Sequence, residues 1–116
     1  MPRLNELSDR ITHFAERRDW EQFHSPKNLS MALAVEASEL LEHFQWLTEE
    51  QSKSLPPEKH TEVESELADV FIYLVRLADK LQVDLFTAAD RKLEINEMKY
   101  PIDKSKGNAK KYKDFD

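Results

Sequence analysis

A single glycine, Gly107, stands in the whole chain, and it lies close to the C-terminus. Hairpin turns rely on the left-handed backbone that glycine adopts at no steric cost, so a β-rich fold is disfavoured from the start. Long helices joined by short connections remain, and their ends are readable. Leu4, Leu7, Ile11 and Phe14 recur at helical spacing and predict a first helix over residues 4–20. Ser25 as a cap and Pro26 in the first turn open a second helix reaching Leu47. Thr48 with Gln51 caps a short extra turn, and Pro56-Pro57 breaks the chain. A third helix is expected over 57–81. Asp84 caps a fourth that runs to Tyr100 and stops at Pro101. The predicted fold is an all-α four-helix bundle, one domain over residues 1–101, followed by a lysine-rich flexible tail over 102–116.

Composition removes several functions. Cysteine is absent, so disulfides, thiolate metal sites and cysteine nucleophiles are excluded together. No apolar run approaches the ~20 residues needed to span a bilayer, and the segment MPRLNELSDR lacks a secretory core. A cytoplasmic protein without a membrane partner is the expectation. The formal charge of −6 is uneven: from Ile102 onward the tail carries +2, which leaves −8 on the rest. An acidic body argues against a nucleic-acid partner, where a basic face is required. A polyphosphate ligand would need metal ions to bridge it to such a surface.

The second and third helices share a pattern. Shifted by 30 residues, Leu33, Ala37, Leu40, Leu41, Phe44 and Leu47 fall on Val63, Leu67, Val70, Phe71, Leu74 and Leu77. At ~100° per residue each set forms one stripe, so the two helices suit an antiparallel hairpin packed stripe to stripe. The same shift superposes Glu36 on Glu66 and Glu39 on Asp69, with His43 and Tyr73 continuing the acidic edge. Acids three apart on a helix sit on neighbouring turns, with β-carbons ~5–6 Å apart. Each pair can therefore hold one cation, which offsets the repulsion of carboxylates clustered beside a core. An all-oxygen donor set suits Mg²⁺, with Mn²⁺ as a substitute. The competing reading is a solvated acidic face, since Glu-x-x-Glu is a common string. Di-iron chemistry, which uses Glu-x-x-His pairs on two helices, is disfavoured, because the histidine near the acids, His43, stands four residues after Glu39 and none accompanies Glu66 or Asp69.

In this order the residues resemble a known family. Glu-Ala-Ser-Glu at 36–39 and Glu-Leu-Ala-Asp at 66–69 are similar to the two-part acidic signature of the all-α nucleoside triphosphate pyrophosphohydrolases, the MazG-like superfamily. Around them stand the run from Arg18 to His24, Pro26, Asn28-Leu29, Phe44-Gln45-Trp46, Asp69 to Leu74, and Lys92, Asn96, Tyr100 and Pro101. This series resembles the dCTP pyrophosphatase branch over about residues 10–101. The resemblance implies hydrolysis of a nucleoside triphosphate to the monophosphate and pyrophosphate, with Glu36, Glu39, Glu66 and Asp69 as Mg²⁺ ligands and catalytic carboxylates. It implies substrate contacts from Trp20, Glu21, Gln22, Phe23, His24, Trp46 and Tyr73, and polar positions near the phosphates at Lys92 and Asn96. Two departures stand out. Lysine replaces the arginine many relatives carry at position 99, losing the planar fork, and Ile11 stands where relatives in this branch can have histidine.

Hydrolysis of this kind requires no side-chain nucleophile, and no Gly-rich phosphate loop is present. Trp20, Phe23 and Trp46 offer faces for stacking on a base, and His24 or Asn28 offers hydrogen bonds, although core filling is the ordinary role of an aromatic. The apolar positions of the third helix exceed what one hairpin partner shields. A homo-oligomer, a dimer or a dimer of dimers, is therefore expected to complete each pocket. The alternatives are the same chemistry on dUTP or on a broad range of dNTPs, and a non-catalytic helical interaction module.

Overall fold

In the computed structural model, which describes residues 2–115, every regular element among the described residues is helical. The order is α1 (Pro2–Arg17), α2 (Pro26–Glu42), the short α3 (Glu49–Ser52), α4 (Pro57–Lys80), α5 (Leu85–Lys99) and the short α6 (Ile102–Ser105). Two 3₁₀ turns lie at Glu21–Phe23 and Tyr112–Asp114. The four long helices expected from the sequence are all present. The chain divides into two compact units between Val83 and Asp84, so α1 to α4 form the first and α5 opens the second.

The expected caps are made. Ser25 Oγ accepts from the Asn28 N–H at 3.1 Å, ahead of Pro26 in the first turn of α2. Thr48 and Gln51 form a reciprocal capping box, at 3.1 and 2.9 Å. Asp84 accepts from the Thr87 N–H at 3.1 Å.

Two helices end earlier than their apolar periodicity suggests. Asp19 turns into the left-handed region at φ 56°, and α1 stops at Arg17. Its N–H reaches Glu16 O at 3.1 Å, and the Trp20 N–H reaches Ala15 O at 2.9 Å. This is a Schellman closure built without glycine. The end of α4 repeats it, with Gln82 at φ 57° and the Val83 N–H on Ala78 O at 2.8 Å. Ala15 and Ala78, whose carbonyls accept the bond spanning five residues in each closure, are both buried. Helix α2 stops at Glu42 rather than Leu47 because Thr48 must be extended, at ψ 163°, to cap α3. The chain between them tightens through bonds from His43 N–H to Leu40 O and Phe44 N–H to Leu41 O.

In the first unit α4 is the central element, with α2 and α1 packed along it. His43, at the end of α2, meets Glu62 near the start of α4, whereas Glu36 senses Glu66 and Asp69 farther along. That order is the antiparallel pairing expected of the two stripes. The stripes divide, however, into two sides. Val63 is buried, and Leu33, Leu40 and Val70 are half-buried, but Ala37, Leu41, Leu67 and Phe71 are exposed. Among the described residues the buried set is small: Ala15, Leu29, Val63, Val75 and Ala78, together with one charged residue, Arg76.

The second unit has its own aromatic cluster. Tyr100 meets Tyr112 and Phe115 edge-on at centroid distances of 6.2 and 5.7 Å, and Lys99 Nζ lies 4.7 Å from the Tyr112 ring centroid. The 102–115 segment, expected to be a flexible tail, thus carries α6, the second 3₁₀ turn and these ring contacts. No helix among the described residues is long and apolar enough to cross a membrane.

Candidate active site

The pairing of α2 with α4 brings their acidic edges together. Glu36, Glu39 and Glu66 each offer a carboxylate oxygen, and the three atoms lie within 4.8 Å of one another. All three residues are half-buried. Asp69 is outside that triad, but its charge is felt at Glu36. Loss of hydration comes first, then Glu39, and then the charges of Asp69 and Glu66, and together they push the Glu36 carboxyl up to about 7. Glu36 Oε2 and Glu66 Oε2 are enclosed without a hydrogen-bond partner. Enclosed, unpaired carboxylate oxygens are unfavourable without a counter-charge, so the donor set fits a divalent cation. His43 stands behind it, with Nε2 3.8 Å from Glu66 Oε1 and Nδ1 3.3 Å from Lys59 Nζ.

On α4 the polar positions continue past the cluster. Glu66, Asp69, Tyr73, Arg76 and Lys80 fall at helical spacing within one narrow sector. From Asp69 to Arg76 the rise is about 10 Å at 1.5 Å per residue. At the far end of this sector stands the segment between α1 and α2. Arg76 is only 2% exposed, and its guanidinium holds Glu21, Thr12 Oγ1 at 3.1 Å and His24 Nδ1 at 3.3 Å. Asp79 Oδ2 lies 3.7 Å from it and accepts from Thr12 Oγ1 at 3.3 Å. Lys80 shares the Glu21 carboxylate. Hydrogen bonds from Lys80 and Arg76 therefore hold Glu21 below the usual carboxylate range. Loss of hydration and the Arg76 charge lower the His24 imidazole.

The residues expected to contact substrate thus fall into different environments. Glu21 is engaged by Arg76 and Lys80, and Gln22 Nε2 donates to Asp19 O and Oδ2 at 3.0 and 3.2 Å, securing the left-handed turn. Trp20 packs edge-on against Phe14 at 5.7 Å and lies 6.2 Å from His24, yet the residue is 42% exposed. Phe23 is exposed, its carbonyl held by Asn28 Nδ2 at 3.0 Å. Tyr73 is half-buried between the carboxylates and Arg76 along α4. Trp46, left outside α2 by the early end of that helix, is 87% exposed. Lys92 and Asn96 stand one turn apart on α5, in the second unit.

Sequence reasoning missed Arg76 and its partners Thr12, Asp79 and Lys80. The available signal was a cation set between Val75 and Leu77 in the most apolar stretch of α4, with Asp79 and Lys80 on the following turn.

The carboxylate geometry and the helical architecture define a class, and the comparisons agree with it. The MazG-like family model matches residues 31–115, and the chain belongs to that family. Among its relatives is dCTP pyrophosphatase 1 from Mus musculus, 44% identical over 116 residues, which cover 98% of this chain and 68% of the relative. The Homo sapiens protein of the same name is 41% identical over 113 residues, covering 96% and 66%. A solved pyrophosphatase from Archaeoglobus fulgidus superposes with a TM-score of 0.81 at 40% identity, over 85% of this chain and 93% of that one.

Proposed function

We propose that this chain is a nucleoside triphosphate pyrophosphohydrolase that converts dCTP, or a related or modified deoxynucleotide, to the monophosphate and pyrophosphate. The observation that carries the reading is the triad of Glu36, Glu39 and Glu66 within 4.8 Å, with two enclosed oxygens lacking partners. The names of the relatives support the substrate class. Glu36, Glu39, Glu66 and Asp69 would hold Mg²⁺, with Mn²⁺ as a substitute. A bound cation would supply charge neutralisation for the triphosphate and activation of water for attack at the α-phosphorus.

The chain's own contribution is orientation. The polar sector of α4 runs about 10 Å from Asp69 to Arg76, comparable with the reach from the phosphates to the base of an extended nucleotide. With the phosphates at the carboxylates, the base meets Tyr73 and the Trp20–His24 segment. Trp20, Phe23 and Trp46 supply stacking faces that accept any base, and His24 supplies a directional hydrogen bond, which discriminates more strongly. The carry-over of Lys92 and Asn96 to phosphate contacts rests on the resemblance alone. Leu41, Leu67 and Phe71 lie exposed on one side of the α2–α4 pair, and their burial against a second copy supports a homo-oligomer, a dimer or a dimer of dimers.

The test is pyrophosphate release from a panel of canonical and modified dNTPs and NTPs, with Mg²⁺ and with EDTA, on wild type and Glu39→Ala. Metal-dependent release that drops at least a hundredfold in the variant is the expected outcome, with the fastest substrate naming the base. Survival of every nucleotide would demote the carboxylates to surface acids and favour a non-catalytic helical module.

A further inference from the structure

The buried guanidinium of Arg76 joins three pieces of chain that are distant in sequence: α1 through Thr12, the 3₁₀ segment through Glu21 and His24, and α4 itself. An arginine has donors only, so the contact between its Nε and His24 Nδ1 admits a single assignment of roles. Nδ1 accepts, and the imidazole proton therefore resides on Nε2. Doubly protonated imidazole is disfavoured there, because it would set an N–H against the guanidinium N–H. Of the charges around the ring, Arg76 and Lys80 oppose protonation, and Glu21, already shared by both cations, favours it. Asp79 faces Arg76 from the next turn of α4.

We infer that Arg76 is a positioning residue that locks His24 as a neutral Nε2–H donor aimed at an oxygen acceptor on the nucleotide base. Among the described residues Nε2 has no hydrogen-bond partner, and it is not one of the enclosed unpaired atoms. A ligand oxygen can therefore accept a hydrogen bond from it. Locked in this tautomer, His24 favours a base edge that presents a carbonyl oxygen and disfavours one that presents an amino group at the same place. Thr12, Glu21 and Asp79 engage the rest of the guanidinium, so the ring cannot exchange roles without breaking that set. The inference rests on the proposed nucleotide reading for the identity of the acceptor, but the tautomer itself does not.

Two measurements on the full chain decide it. The first is ¹⁵N NMR of imidazole-labelled, metal-free wild type at neutral pH, with His24→Gln used to assign the signal. The expected pattern for His24 is a protonated Nε2 and a bare Nδ1, relaxing toward a tautomer mixture in Arg76→Gln, whose amide can donate or accept. The second is a kinetic cycle of Arg76→Met with His24→Gln, whose amide keeps a donor that needs no tautomer. Arg76→Met is expected to raise KM on the order of tenfold, the scale of one lost hydrogen bond, with a smaller fall in kcat. In the His24→Gln background the same change is expected to raise KM much less. A wild-type His24 protonated on Nδ1, or on both nitrogens, overturns the inference, as does an equal KM increase in both backgrounds. If Arg76→Met fails to fold, the wild-type and Arg76→Gln spectra decide alone. A wild type inactive on every nucleotide overturns the functional reading, and the spectra still decide the part of Arg76.

Discussion

Glu36 combines partial burial with three acidic neighbours, and its carboxyl is held at about 7 against an ordinary value of 4.5. The sign of the resulting linkage is definite. A folded-state value raised above the unfolded one contributes stability that is complete below 4.5 and lost as pH rises through 7. The metal-free protein is therefore expected to lose stability between pH 4.5 and about 7 in urea titrations with EDTA. Glu36→Gln should flatten that dependence, and so should added Mg²⁺, which compensates the charge instead of removing it. Equal slopes for wild type and variant would show that the carboxylates are well hydrated. Glu21 is the opposite case: its carboxylate is stabilised by Lys80 and Arg76, so its contribution is present at neutral pH and lost in acid.

At the scale of elements, the two Schellman closures do what glycine does elsewhere. Asp19 and Gln82 hold left-handed backbone at φ 56° and 57°, one ahead of the His24 segment and the other at the end of α4. A side chain other than glycine is strained there, so Gln82→Gly is expected to stabilise the protein by about 0.5–1 kcal/mol. Gln82→Val should destabilise it by more than 1 kcal/mol, since a β-branched residue resists positive φ. Thermal melts of the pair give the check, with an expected rise of a few degrees for glycine. The helix starts were legible because Ser25, Thr48 and Asp84 cap with their own side chains. The ends of α1 and α2 were not. A left-handed aspartate has no unambiguous signature, and the Phe44 to Leu47 stretch keeps helical periodicity while the chain tightens into turns.

At the scale of the molecule, the apolar positions of α2 and α4 exceed what their mutual packing covers. Leu41 is 58% exposed, Leu67 53% and Phe71 45%, and Leu41 and Phe71 occupy matched places in the two stripes. Exposed apolar positions matched in this way support the proposed homo-oligomer. Phe71→Glu combined with Leu41→Glu is expected to shift the protein to monomer in sedimentation at micromolar concentration. Nucleotide turnover should fall with it if a neighbouring copy completes the pocket. A wild type already monomeric under those conditions would refute the assembly reading.

The sequence by itself determined the helical class, the caps and the four acids, because each depends on local spacing: one glycine, side chains that cap their own helices, and carboxylates a turn apart. It also carried the family resemblance, which depends on the order of residues rather than their positions in space. Tertiary structure decided which acids converge, drawing Glu36, Glu39 and Glu66 together while Asp69 acts at Glu36 through its charge. It decided as well that Glu21 is engaged by Arg76 and Lys80 and that a cation lies at the centre of the α1–α4 contact. The physical reason is that an ion pair across 55 residues depends on where helices cross, and no helical period encodes that distance.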